Sequence, residues 1–258
     1  MDNNGTPDVR RAIFADDGAP ASDVAWAWLT SHRWTDWRLG ILTVRETLFP
    51  GRPALGKAHY VERQPPAEAG FDSWTHDHVD GDPRVVLLEN SDASLLVLGS
   101  HHKGHLAGMW AGSTSEYLLV NPPIPLLLAR HGHRTRTVAV CVDGSPHALD
   151  ALTTFLALPW SSDAEITLVS VADGATEVES TLAAAREAFV GRAQPAEVHL
   201  TGEPRKVIPT LVDERGFDLI VLGTRGLKGV TRMTAGSTVS ALVKDETANL
   251  LIAHVAET

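Results

Sequence analysis

Two stretches of this chain, "SLLVLGSHHKGHLAGMWAGSTSEYLL" (94–119) and "DLIVLGTRGLKGVTRMTAGSTVSALV" (218–243), align without a gap. Gly99 falls on Gly223, Gly112 on Gly236, and Ser113-Thr114 on Ser237-Thr238. The agreement continues upstream. "GDPRVVLLEN" from Gly81 matches "GEPRKVIPTL" from Gly202, and "ADDGAPASDVAWAWL" from Ala15 matches "CVDGSPHALDALTTF" from Cys141. Three matches in one order mark a tandem duplication, so whatever fold one half adopts the other must also adopt. The short polar, basic segment "RHGHRTR" (130–136) is the natural joint, giving domains of 1–132 and 133–258.

Within the second half, valine-rich "TVAVCV" (137–142) suits a strand buried on both faces. Ser145 then offers an N-cap and Pro146 a first helical residue, followed by Ala148, Ala151, Leu152, Phe155 and Leu156 at helical spacing. Strand signals at "EITLVSV" (165–171), "AEVHL", "DLIVLG" and "NLLIAHV" alternate with helical ones, among them "EPRKVIPTLVDERG", where Pro209 is expected to kink the helix and Gly216 to end it. Such alternation means a parallel sheet with helices on both faces. The first half is less regular: "RLGILTV" (38–44) reads as a strand, but 48–70, broken by Pro50, Pro53, Pro65 and Pro66, reads as a long loop packed over the site.

In such sheets ligands lie beyond the carboxyl ends of the strands. Gly223 falls at one of these ends, where glycine permits positive φ and close approach of a ligand to main chain. Gly236-Ser237 opens a helix, whose free N–H groups favour an anion, and Ser237 and Thr238 add hydroxyls. The set suits a phosphate chain. Asp143 ends the first strand beside the same crevice, where its carboxylate can accept from a ribose hydroxyl or help hold a metal ion. Neither G-x-G-x-x-G nor G-x-x-x-x-G-K-[ST] occurs, which disfavours dehydrogenase and P-loop hydrolase readings.

The motif G-x2-G-x9-G-[ST] at Gly223, Gly226, Gly236 and Ser237, with "VDGSP" upstream, resembles the universal stress protein family in its tandem two-domain form. The resemblance implies an α/β fold of two Rossmann-like domains, each an open five-stranded parallel sheet flanked by helices, similar to the adenine nucleotide alpha-hydrolases. It implies ATP, with or without Mg, as ligand. In the ATP-binding branch the ribose and adenine meet residues that map to Asp143 and Val171, while the glycine loop, with Arg225 and Gly226, takes the phosphates; Ser145 joins this set. It also implies that the last strands of the two domains pair within the chain, leaving a homodimer as an additional arrangement. The first half offers a weaker second site at Asp17, Val44, Gly99, Gly112, Ser113 and Thr114, because His102 stands where Gly226 stands in the second and Ala19 replaces Ser145.

Other features bound the function. A net charge of −10 in 258 residues argues against nucleic acid as a partner, and no apolar run reaches spanning length, so a cytoplasmic protein is expected. Cys141, alone in an apolar run, is expected to be an inert buried thiol. Histidines at 76 and 78, at 101, 102 and 105, and at 131 and 133 read as exposed loop residues, with no structural metal expected; His101, His102 and Lys103 can also supply positive charge to an anion. Trp26, Trp28, Trp34 and Trp37 read as core or domain-interface residues, and Trp110 as an anchor of its loop. With no evident general base, and Lys228 and Arg232 needed only for anion binding, no catalytic residue is assigned. The leading expectation is a regulatory ATP-binding protein. The alternatives are a slow ATP hydrolase and a ligand-free interaction module.

Overall fold

The computed structural model describes residues 10–46, 61–90, 92–100, 113–120, 122–171, 175–224, 237–245 and 247–253. The first half runs β1 (Arg10–Asp16), α1 (Pro20–Ser31), β2 (Trp37–Glu46), β3 (Ser73–Gly81), α2 (Pro83–Leu88), β4 (Leu95–Gly99), α3 (Ser113–Val120) and β5 (Leu126–Ala129). The second runs β6 (Thr137–Val142), α4 (Pro146–Leu156), β7 (Glu165–Val171), α5 (Ala175–Glu187), β8 (Ala196–Leu200), α6 (Pro204–Arg215), β9 (Leu219–Gly223), α7 (Ser237–Asp245) and β10 (Asn249–Ala253).

The ten strands of the described residues join one sheet, in the order β3-β2-β1-β4-β5-β10-β9-β6-β7-β8. Every pairing within a half is parallel; β5 and β10 meet antiparallel at the centre, Leu127 opposite Leu251. The unbroken apolar runs of β4 and β5 follow from this: both are covered on each face, and all their residues are buried. Helices α1, α4 and α5 pack on one face of the sheet through Ala25, Trp28, Leu29, Ala151, Leu152, Phe155, Leu182 and Ala185. On the other, α2, α3, α6 and α7 bury Leu87, Leu118, Leu119, Ile208, Leu211, Val239 and Leu242. The local signals act as expected at α4, where the Ser145 hydroxyl accepts from the Ala148 amide, and at α6, where Gly216 closes the helix at φ 65°. Helix α6 runs from Pro204 to Arg215 with Pro209 inside it.

The halves are cemented at the joint. Asn249, fully buried, accepts from the amides of Arg130 (2.7 Å) and His131 (2.9 Å). The buried Arg130 guanidinium donates to the carbonyls of Leu242 (3.1 Å), Val243 (2.8 Å) and Ala248 (3.0 Å), satisfying acceptors at the end of α7 with a cation that suits the helix dipole there.

The tryptophans form an interface between halves, with one member that the first-half cluster did not announce. Trp160, from the turn after α4, packs edge-on against Trp28 at 5.7 Å and Trp34 at 6.3 Å. His32 lies between the halves, its ring 4.2 Å from that of Trp160. Its Nδ1–H donates to the Trp28 carbonyl (2.8 Å), and Nε2 accepts from the Thr135 amide (3.0 Å), so the ring is held neutral. Burial lowers its pKa from 6.5 to about 4. The unfolded chain therefore takes up the proton first. Stability from this residue is complete above pH ~6.5 and is lost as pH falls towards 4, by about 2–3 kcal/mol. Urea unfolding at pH 7.5 and 4.5 checks this: His32→Asn should remove that share of the pH dependence.

Candidate functional site

The order β3-β2-β1-β4-β5, and its twin β8-β7-β6-β9-β10, reverses direction between β1 and β4 and between β6 and β9. Helix α4 packs on one face of the sheet and α7 on the other, which makes the carboxyl ends of β6 and β9 the topological switch point, the place where ligands of such sheets bind. Strand register brings the candidate residues to this rim. Val140 pairs with Val221 and Val142 with Ser170, so Val171 ends β7 level with Asp143, the residue after β6, and Gly223 ends β9 level with Val142.

Each residue also has a local job. The Asp143 carboxylate accepts from the Ser145 amide (3.0 Å), shaping the turn between β6 and α4. The Ser145 hydroxyl is engaged as helix cap at 3.2 Å from the Ala148 amide. Val171 is half-exposed at the tip of β7, and Thr238 is half-buried in the first turn of α7. Arg225, Gly226, Gly236, Lys228 and Arg232 lie outside the described residues, as does the Ser237 side chain, although its backbone begins α7.

Gly223 corrects an expectation. Its backbone is not among the positive-φ glycines. What requires glycine is the first turn of α4: an added Cβ would sit 2.7 Å from the His147 carbonyl carbon and 2.9 Å from the Ala148 nitrogen. Gly99 meets the same constraint from α1, where a Cβ would overlap the Ala21 carbonyl. Close strand–helix packing thus explains both residues without a ligand. Cys141 is half-buried, and burial foremost, with the Asp143 carboxylate second, pushes its thiol up to about 12, in keeping with an inert cysteine.

The first-half rim is built differently. Asp17 takes the place of Asp143 and makes the same turn, its carboxylate accepting from the Ala19 amide (3.0 Å) and from the Ser22 hydroxyl (2.7 Å). Ala19 provides no cap, so Ser22 and Asp17 organise the start of α1 instead. Val44 lies two residues short of the end of β2, and Thr114 is half-buried in α3. Gly112 and His102 lie outside the described residues, as do Trp110, Lys103, His101, His105 and the Ser113 side chain.

No helix equivalent to α5 appears among the described residues of the first half; a strap, Val61–Pro66, and a 3-10 turn, Ala67–Ala69, lead into β3 instead. From the strap Arg63 reaches Asp16, which stands where Val142 stands in the second half. Arg63 Nε is 2.8 Å from Asp16 Oδ2, and the guanidinium also binds Asp16 Oδ1 (3.2 Å) and Asp23 Oδ1 (2.7 Å). The side chains of Arg63 and Asp16 are 7% and 2% exposed. This pair was missed from the sequence. The available signal was the aligned Asp16 and Val142, a carboxylate at a core position that demands a partner. The expectation of exposed loop histidines fails in part: His76 and His78 lie on β3 rather than in a loop, and the His76 side chain is only 1% exposed, while His78 is exposed as expected.

Comparison with known proteins gives one answer from sequence and from structure. The model of the Universal stress protein family matches residues 9–130 and again 134–254. A putative universal stress protein of Staphylococcus haemolyticus (strain JCSC1435) is 30% identical over 142 residues, 47% of this chain and 86% of that one. The crystal structure of a universal stress protein from Archaeoglobus fulgidus DSM 4304 superposes with a TM-score of 0.74 at 19% identity, covering 95% of this chain and 98% of that one. A putative universal stress protein from Pseudomonas aeruginosa UCBPP-PA14 gives a TM-score of 0.62 at 15% identity, covering 95% and 93% of the two chains. Among the described residues no helix is long and apolar enough to cross a membrane.

Proposed function

Because the chain belongs to the universal stress protein family, we propose that it is a stress-response regulator that binds ATP, held mainly by its second domain. The observation that carries this reading is the meeting of Asp143, Val171 and Gly223 at one rim, in a chain whose sequence holds the complete G-x2-G-x9-G-[ST] motif. In this reading Asp143 and Val171 face ribose and adenine. The backbone from Gly223 through Arg225 and Gly226, with Gly236, Ser237 and Thr238, takes the phosphates, with or without Mg. Ser145 supports the rim as the cap of α4. The domains are 1–132 and 133–258, the protein acts in the cytoplasm, and nucleic acid is not a partner. Asp17, Val44, Gly99, Gly112, Ser113 and Thr114 form a weaker site or an empty one. No group is assigned to catalysis, so ATP occupancy, rather than turnover, is the signal.

The test is a titration of the full chain with ATP and Mg, read by calorimetry and thermal unfolding. Binding should raise stability by about 2.7 kcal/mol at a ligand concentration of 100 Kd. Gly236→Val should abolish it and Gly112→Val should leave it intact. Binding unchanged in Gly236→Val removes the site assignment. Absence of any binding favours a ligand-free interaction module.

A further inference from the structure

The strap that carries Arg63 also carries Glu62, which faces two imidazoles on the sheet's edge strand. Glu62 Oε1 lies 3.5 Å from His76 Nδ1, and Oε2 lies 3.6 Å from His78 Nε2. One ligand atom from each of the three residues lies within 4.8 Å of the other two. From these residues we infer a second, unassigned site: a divalent-cation site of the zinc class formed by Glu62, His76 and His78.

The geometry suits that ion. Tetrahedral zinc bonded at ~2.0–2.1 Å holds its donors roughly 3.3 Å apart, near the 3.5 and 3.6 Å between the Glu62 carboxylate and the two imidazoles. Residues 76 and 78 alternate along β3 and so project to one side, with rings stacked at 4.6 Å and 26°. The tautomer of His76 is set as well. Its Nδ1 accepts from the Arg63 amide (3.2 Å), so the ring proton resides on Nε2, which donates to Thr43 Oγ1 (2.9 Å). A ligating histidine has this arrangement, one nitrogen anchored to an acceptor and the other presented with its lone pair. Coordination exchanges the Arg63 amide hydrogen bond for a metal bond. Arg63 itself, the nearest cation, is offset by Asp16 and Asp23.

The remaining side is open. Glu62 and His78 are 74% and 34% exposed, leaving an entry path and room for water as a fourth ligand. Two imidazoles with one carboxylate favour zinc over the hard cations, which prefer oxygen donors. The ion would clip the strap to β3 and thereby hold Arg63 on Asp16, tying occupancy at the sheet edge to the first-half rim. This inference stands apart from the nucleotide reading, since no residue is shared.

The experiment is calorimetric titration of the chelator-treated full chain with Zn²⁺ alone, with Co²⁺ absorption as a second readout of tetrahedral geometry. A single high-affinity ion is expected. His78→Ala and Glu62→Gln, both at exposed side chains, should each weaken binding by about 100-fold or more, and Thr43→Val by about 10–100-fold. His133→Ala, at the other stacked pair, should leave it unchanged. Binding that persists at full affinity in both His78→Ala and Glu62→Gln overturns the site. So does the absence of any zinc binding by the wild-type chain.

Discussion

Replacing Arg63 by methionine is expected to cost about 3–5 kcal/mol of folding stability, because it strands a buried carboxylate. Asp16 is 3% exposed, and among the described residues its carboxylate keeps the Gly18 amide at 3.1 Å once the guanidinium is gone. Arg63 also spans the rings of Phe14 and Trp26, at 6.0 and 5.7 Å from their centroids, so truncation removes packing as well. The second half shows how the same position is filled without charge, by Val142 among apolar neighbours. The double variant Asp16→Val/Arg63→Met should therefore recover most of the loss, since an apolar pair can replace a buried ion pair at little cost. Urea unfolding of the wild type, both single variants and the double variant forms a cycle that isolates the coupling. A loss below about 1 kcal/mol for Arg63→Met, with no recovery in the double variant, would show that the pair is not required.

Gly99→Ala is expected to cost about 3 kcal/mol or more, and Gly223→Ala somewhat less, at the upper part of the usual overpacking range. The ranking follows from what each Cβ would meet. At Gly99 it overlaps a carbonyl in the first turn of α1, whereas at Gly223 its nearest contact is 2.7 Å away in the first turn of α4. Backbone on a packed helix cannot rotate aside as a side chain can, so the helix must lift from the sheet in both cases. Chemical unfolding of the two variants reads the order directly; equal stability to wild type in Gly99→Ala would contradict the packing. The result also governs how binding data are read. Loss of ATP binding in Gly223→Ala follows from a displaced α4 alone, which is why Gly236→Val is the more telling variant.

What the sequence disclosed, it disclosed through repetition and period. Two aligned copies, with valine-rich runs alternating with capped helices, specify parallel strands covered on both faces, and β6, α4, β7, β8 and β9 fall where those signals lie. The hidden parts depend on long-range contacts. Glu62, Arg63 and His76 are brought together across a chain crossing that no local period reports, and Trp160 meets Trp28 across the two halves. The glycine at the end of β9 was legible as a requirement but not in its cause. A ligand approaching main chain and a helix packed on main chain leave the same mark on a sequence.

The antiparallel seam between β5 and β10 has a consequence for how the two halves can diverge. Two identical subunits joined by such a seam must carry identical sites, so damage to one is damage to both, and dilution can part them. In a single chain the partner is always present at a fixed effective concentration. Each half is then free to change alone. Among the described residues a strap leads into β3 where helix α5 leads into β8, and Asp16 stands where the other half has Val142, with no matching change across the seam. Fusion thus converts a symmetric pair into a division of labour.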